Sequence, residues 1–157
     1  MFTGESAHTL DAKNRVFVPK RIQSHLERDA DGNLAVVLTR GFEDCVFLYS
    51  AQGWQEAVGR MVTQAFAGKD QRKMQRLFFG SAHEAQLDGS GRVVLPEKLR
   101  TRAKIDKEVV IVGIADRVEI WDKQAWDAYE AEHGDDYDDL DVVLVGGGGG
   151  GPEGDDS

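Results

Sequence analysis

One stretch of this chain occurs twice. Leu10-Asp11-Ala12-Lys13-Asn14-Arg15-Val16-Phe17-Val18-Pro19 returns 77 residues later, without a gap, as Leu87-Asp88-Gly89-Ser90-Gly91-Arg92-Val93-Val94-Leu95-Pro96. The apolar spacing persists beyond the prolines, where Val18, Ile22 and Leu26 match Leu95, Leu99 and Ala103. An internal repeat of this kind means two equivalent supersecondary units. Any fold for the chain has to be built twice over from one plan.

Each copy reads as a tight turn between two strands. Asp accepts backbone N–H bonds in an Asx turn, and Gly or Asn tolerates the left-handed backbone such turns need. Gly91 precedes Arg92, and Asn14 holds the same place before Arg15. The Asp stands four residues ahead of the Arg, close enough to pair with it and aim the guanidinium. Asp11, Asp88 and Gly91 are therefore expected to structure the turns, and each unit presents one arginine.

The rest of each half follows one order: strand, turn, strand, helix, hairpin, helix. Strands are expected over 6–10 and 16–18, a helix from Pro19 to Arg28, strands over 34–39 and 45–49, and a helix from about Ala51 to Phe66 capped by Ser50. That helix carries Trp54, Val58, Met61, Val62 and Ala65 on its apolar face. Lys69 to Phe79 forms a basic connecting segment, which as a helix would bury Met74, Leu77 and Phe78 and expose Arg72, Lys73 and Arg76. In the second half, strands fall at 82–87, 92–95, 108–114 and 118–121, with helices starting at Pro96 and after Asp122, the last carrying Trp126 and Tyr129. The expected organisation is a first repeat over 1–66, the connecting segment over 67–80, a second repeat over 81–133, and an acidic, Gly-rich, disordered tail over 134–157.

The formal charge of −9 looks wrong for a nucleic-acid binder until it is divided. Residues 127–157 hold 11 acidic residues and no Lys or Arg, so residues 1–126 carry +2. Acidity belongs to the tail, and the basic residues of the folded part can still gather on one face. The single cysteine, Cys45, forms no internal disulfide and is expected to pack as a small hydrophobe. No apolar run is long enough for a transmembrane helix, and the N-terminus does not read as a signal peptide, so a cytosolic protein is expected.

Catalysis finds little support. His8, His25, His83 and His133 lie far apart, without metal-ligand spacing, so neither a metal nor another cofactor is expected. There is no nucleophile elbow, P-loop or dinucleotide fingerprint. Asp11 and Asp88 each have an arginine at the same offset, which favours structural pairing with a lowered pKa over acid–base work.

Nucleic-acid binding fares better. A turn offering Lys13, Asn14 and Arg15 presents an ammonium, an amide and a guanidinium. These groups suit phosphate, adenine and guanine respectively. Lys20 and Arg21 begin the following helix within reach of the backbone, while the second turn offers Arg92 and Ser90 without a lysine. One such turn buries too little surface for tight binding, so several copies have to act together in a homo-oligomer. The rival reading is a protein–protein scaffold whose DxxxR turns serve only the fold.

These residues resemble the MraZ family of bacterial transcription regulators, which carry two AbrB/SpoVT-like domains. The resemblance rests on Met1-Phe2-Thr3-Gly4, Leu10 to Arg15, Val18-Pro19, Arg76 to Gly80, Asp88 to Arg92, Leu95-Pro96 and Val118 to Asp122, and covers residues 1–130. It implies an α+β, mainly β fold, a split, swapped-hairpin β-barrel with helices outside, assembled into a ring that binds double-stranded DNA. It also implies binding to direct repeats upstream of a division and cell-wall operon that begins with the protein's own gene, repression of that operon, and association with the nucleoid. The family's usual glycine before the first arginine is Asn14 here. The acidic tail lies outside the resemblance.

Overall fold

The computed structural model describes residues 1–62 and 68–147. Met1–Lys123 forms one compact unit and Gln124–Ser157 a second. The first repeat runs β1 (Glu5–Thr9), β2 (Arg15–Phe17), α1 (Lys20–Gln23), β3 (Ala35–Arg40), β4 (Val46–Ser50) and α2 (Ala51–Val62), and α3 (Lys69–Gly80) follows it. The second runs β5 (His83–Gln86), β6 (Arg92–Val94), α4 (Glu97–Arg102), β7 (Glu108–Ile114), β8 (Arg117–Asp122) and α5 (Lys123–His133). Among the described residues no helix is long and apolar enough to cross a membrane.

The two halves interleave. Six strands form an antiparallel sheet in the order β1-β7-β8-β4-β3-β5, and β2 pairs with β6 in a separate ribbon. Exchanging the repeats maps this order onto itself, with β8 and β4 at the centre. The sheet is open, with β1 and β5 as its edges, so the architecture is α+β and sheet-rich with no closed barrel.

One face of the sheet and the ribbon enclose a shared core. Val36, Leu38, Val46 and Leu48 of the first repeat meet Val109, Ile111, Val118 and Ile120 of the second, all buried. Val16 and Val93 close the core from the ribbon, and Ile22 and Leu99 from the short helices. Each such side chain contributes about 1.5–3 kcal/mol when removed from water. Because the contributors alternate between repeats, neither half holds a complete core of its own. The opposite face carries Phe47 and Tyr49; Tyr49 meets Trp54 of α2 and Phe78 of α3 edge-on at 5.6 and 6.3 Å, and those two rings stack on each other at 5.4 Å. Thr39 is fully buried on that face and donates its hydroxyl to the Phe78 carbonyl at 2.6 Å.

Local chemistry sets the boundaries. Ser50 Oγ accepts the Gly53 N–H at 3.0 Å, as the expected cap of α2. The helix expected over 19–28 is only Lys20–Gln23, because tight turns replace it: His25 and Leu26 donate to the carbonyls three residues back, and Arg28 then bridges Leu34. In α2 Ala57 is buried while Val62 is exposed; Ala65 and the end expected at Phe66 lie outside the described residues. In α3 Phe78 is buried as expected, but Leu77 is exposed and Arg72 half-buried, so the helix sits rotated from the expected face. Cys45 is buried, and burial pushes its thiol pKa up, as suits a small hydrophobe.

In the second unit, Trp126 and Tyr129 of α5 stack at 6.0 Å. The segment expected to lack structure from Gly134 instead runs as a 3-10 helix, Gly134–Leu140, and then α6 (Asp141–Gly147), with every described side chain exposed. Residues 148–157 of that segment lie outside the described residues.

Candidate nucleic-acid interface

The β2–β6 ribbon puts both repeated turns in one place. Arg15 stands opposite Val94, and Phe17 opposite Arg92. Each turn closes with the same backbone bonds: Asn14 N–H to Asp11 O and Gly91 N–H to Asp88 O, both at 2.9 Å. Asn14 (φ 59°) and Gly91 (φ 79°) both adopt the left-handed backbone that their residue types permit. The turns are also tied to each other, since Val18 donates to the Gly91 carbonyl and Leu95 to the Asn14 carbonyl.

The carboxylates organise the turns from within. Asp11 Oδ1 accepts the N–H groups of Lys13 and Arg15 at 2.9 Å, and its Oδ2 takes Arg15 Nε at 2.7 Å. Asp88 repeats this with Ser90, Arg92 and Arg92 Nε at 3.0 Å. The Arg15 N–H leads in holding the Asp11 carboxyl down at about 2, with the Arg15 side chain and the Lys13 N–H adding to it. The Arg92 N–H does the same for Asp88, whose pKa is also lowered.

The pairing also crosses between repeats. Arg92 Nη1 lies 3.6 Å from Asp11 Oδ2, and Arg15 Nη1 lies 4.0 Å from Asp88 Oδ2. Two carboxylates and two guanidiniums thus form one reciprocal, neutral cluster. Among the described residues the side-chain hydrogen bonds of both arginines run through Nε, each Nη1 faces the other repeat's carboxylate as an ion pair, and each Nη2 makes no hydrogen bond. Their side chains remain 27% and 34% exposed. A part-exposed guanidinium with Nη2 unspent is the kind of donor that guanine or phosphate accepts.

The other expected residues divide. Lys13 is exposed at the tip of the first turn, beside half-buried Asn14. Lys20 is exposed on α1 and makes no ion pair among the described residues. Arg21 is a staple instead: its guanidinium donates to Thr3 O, Ser6 Oγ and Ile111 O, fastening β1 and the N-terminal residues to the sheet.

Sequence reasoning passed over a cleft beside the second turn. It measures about 220 Å3, with Lys20, Gln23, Arg28 and Asn33 on one side and Asp88, Gly89 and Gly91 on the other. Gln23 Nε2 donates to Val18 O at 2.7 Å, and Arg28 Nη1 to Gly32 O at 2.8 Å. The interleaving explains the omission, since a helix of one repeat lies beside the turn of the other. Among the described residues no group of His, Cys, Asp and Glu is placed to hold a metal ion.

Comparison with known proteins agrees with the repeat. A family model described as "MraZ protein, putative antitoxin-like" matches twice, over residues 1–77 and 78–141. A protein of Moorella thermoacetica named "Transcriptional regulator MraZ" is 41% identical over 145 residues, covering 92% of this chain and 97% of its own. Proteins of the same name from Lactobacillus helveticus and Desulforamulus reducens are each 39% identical, covering 89% and 92% of this chain and 94% and 98% of their own. Two consecutive matches and full-length relatives place this chain in the MraZ family.

Proposed function

We propose that this protein is a sequence-specific DNA-binding repressor that acts as a homo-oligomeric ring on direct repeats upstream of its own division and cell-wall operon. Its relatives carry the name of transcriptional regulators, and regulation of transcription is the role that family membership gives it. The observation that supports the DNA reading is the arginine cluster, in which Asp11 and Asp88 hold two part-exposed guanidiniums side by side through Nε and leave Nη2 of each without a hydrogen bond among the described residues. Arg15 and Arg92 read base edges, Lys13 and Lys20 neutralise phosphate, and Asn14 adds an amide at the tip of the first turn. Arg15 contributes more than Arg92, because only its turn carries a lysine. Arg21, committed to backbone carbonyls, supports the interface from behind. A ring that repeats such paired turns along one face would meet direct repeats with several turns at once. The protein works in the cytoplasm, at the nucleoid.

The test is binding of wild type, Arg15→Ala and Lys13→Ala to a labelled duplex from upstream of the gene, across a salt series, with size-exclusion of each protein as the assembly control. Arg15→Ala is expected to lose roughly 10- to 100-fold in affinity, the range of one bidentate base contact. Lys13→Ala is expected to flatten the salt dependence. Equal binding by all three assembled proteins would transfer the cluster to a purely structural role and favour a scaffold.

A further inference from the structure

The repeat is broken at one place, and the break builds a site. Up to Leu26 and Ala103 the two halves run at an offset of 77. In the hairpins Leu38 faces Leu48 where Ile111 faces Ile120, an offset of 73 for the first member of each pair. The first repeat therefore holds four extra residues between α1 and β3, in the loop around Asp29–Asn33. Asp29 Oδ1 gathers that loop by accepting the N–H groups of Asp31 and Asn33, both at 3.0 Å. The loop does not face its own repeat's turn. With Arg28 and Asn33 it walls the cleft against the second turn.

That turn is the one short of cations. The counterpart of Lys13 is Ser90, and the counterpart of Lys20 is Glu97. Into the gap the first repeat sends Lys20 from α1 and Arg28 from the edge of the inserted loop. Arg28 spends Nη1 on Gly32 O, and among the described residues its other donors are unbonded. Gln23 and Asn33 each keep an amide hydrogen beyond the bond already made. Asp88 also faces the cleft, but its charge is met by Arg92 and two backbone N–H groups. Nothing lies within 4 Å of where a Gly89 side chain would start, so the turn backbone is open to approach.

We propose that this cleft binds a phosphodiester of the DNA backbone, with Lys20 and Arg28 as its cations and the amides of Gln23 and Asn33 as donors. The inference rests on the DNA-binding reading above. It assigns the second turn a phosphate anchor supplied by the other repeat, so the two turns are basic by different means. A concave site beside a turn positions the protein on DNA and carries no sequence information.

The full-length protein is titrated by fluorescence anisotropy against the upstream duplex and a scrambled duplex of equal length, from about 50 to 200 mM salt. Lys20→Ala, Arg28→Ala and the double variant are compared with Lys73→Ala, an exposed lysine on α3 away from both turns. Each cleft substitution is expected to lower the slope of log K against log salt by about 0.9 per protomer in contact, with equal fold-losses on both duplexes. Lys73→Ala is expected to match wild type. If wild type binds and the double variant keeps its slope, the cleft assignment is overturned while the DNA reading stands. A loss confined to the upstream duplex also overturns it, because the contact is then to bases. If wild type binds neither duplex, both readings fall together.

Discussion

Gly91→Ala is a perturbation whose cost follows from geometry. Gly91 sits at φ 79°, where an L side chain costs about 1 kcal/mol. The new methyl would also run into the Gln23 side-chain amide nitrogen and stand 3.2 Å from Phe17 Cε1. The Gln23 amide is the end of a flexible chain, so it swings away and the backbone stays. What is lost is its 2.7 Å bond to Val18 O, worth about 1 kcal/mol. The sum is about 2 kcal/mol, or a Tm lower by about 4–8 °C for a chain of this size. Urea unfolding reads the same number as a shift in midpoint at constant m. In a Gln23→Ala background only the left-handed strain remains, so there Gly91→Ala should cost about half as much. Asn14→Ala is the internal control. Its backbone is already left-handed at φ 59° with a side chain in place, so its cost stays below about 1 kcal/mol. A Gly91→Ala protein within about 0.5 kcal/mol of wild type, or an equal cost with and without Gln23, refutes this reasoning.

Two further outcomes are expected. The Arg15 N–H holds the Asp11 carboxyl down at about 2 against an ordinary 3.8, and a depressed acid stabilises the fold above its ordinary value and loses that contribution as pH falls through the depressed one. Urea midpoints of wild type should therefore converge on those of Asp11→Asn between about pH 4 and pH 2, and parallel curves through that window would contradict the assignment. Deleting residues 134–157, which removes most of the acidic segment, is expected to raise affinity for DNA at low salt and to leave it unchanged at high salt. An unchanged salt slope would dismiss competition between the tail and DNA.

Local chemistry was legible in the sequence, and partnership between distant segments was not. The Asx turns, left-handed Asn14, the Ser50 cap and the strand at Glu108–Ile114 follow from residue types within a few positions of one another. The crossing of Arg92 to Asp11 joins residues 81 apart and follows only once β2 lies against β6. Arg21 reads as a surface cation on a helix, yet the nearby N-terminal residues and β7 supply carbonyls that absorb its guanidinium. The face of α3 differs from the expected one for a similar reason: periodicity weighs Leu77 and Phe78 alike, while the stacking of Trp54 on Phe78 selects only one. The cleft is hardest of all to read, because its two walls come from different repeats and its loop has no counterpart in the second.

The interleaving of the sheet also sets the order of events during synthesis. Ser6 of β1 pairs with Ile111 of β7, 105 positions further along. At roughly 5–20 residues per second, β1 leaves the ribosome on the order of 5–20 s before β7, its neighbour in the sheet, exists. The β3–β4 hairpin appears early, but one edge waits for β5 and the other for β8. Such unpaired edges are templates for association with other chains. Folding therefore has long loops to close late, and a chain broken off before β8 leaves β4 without its central partner.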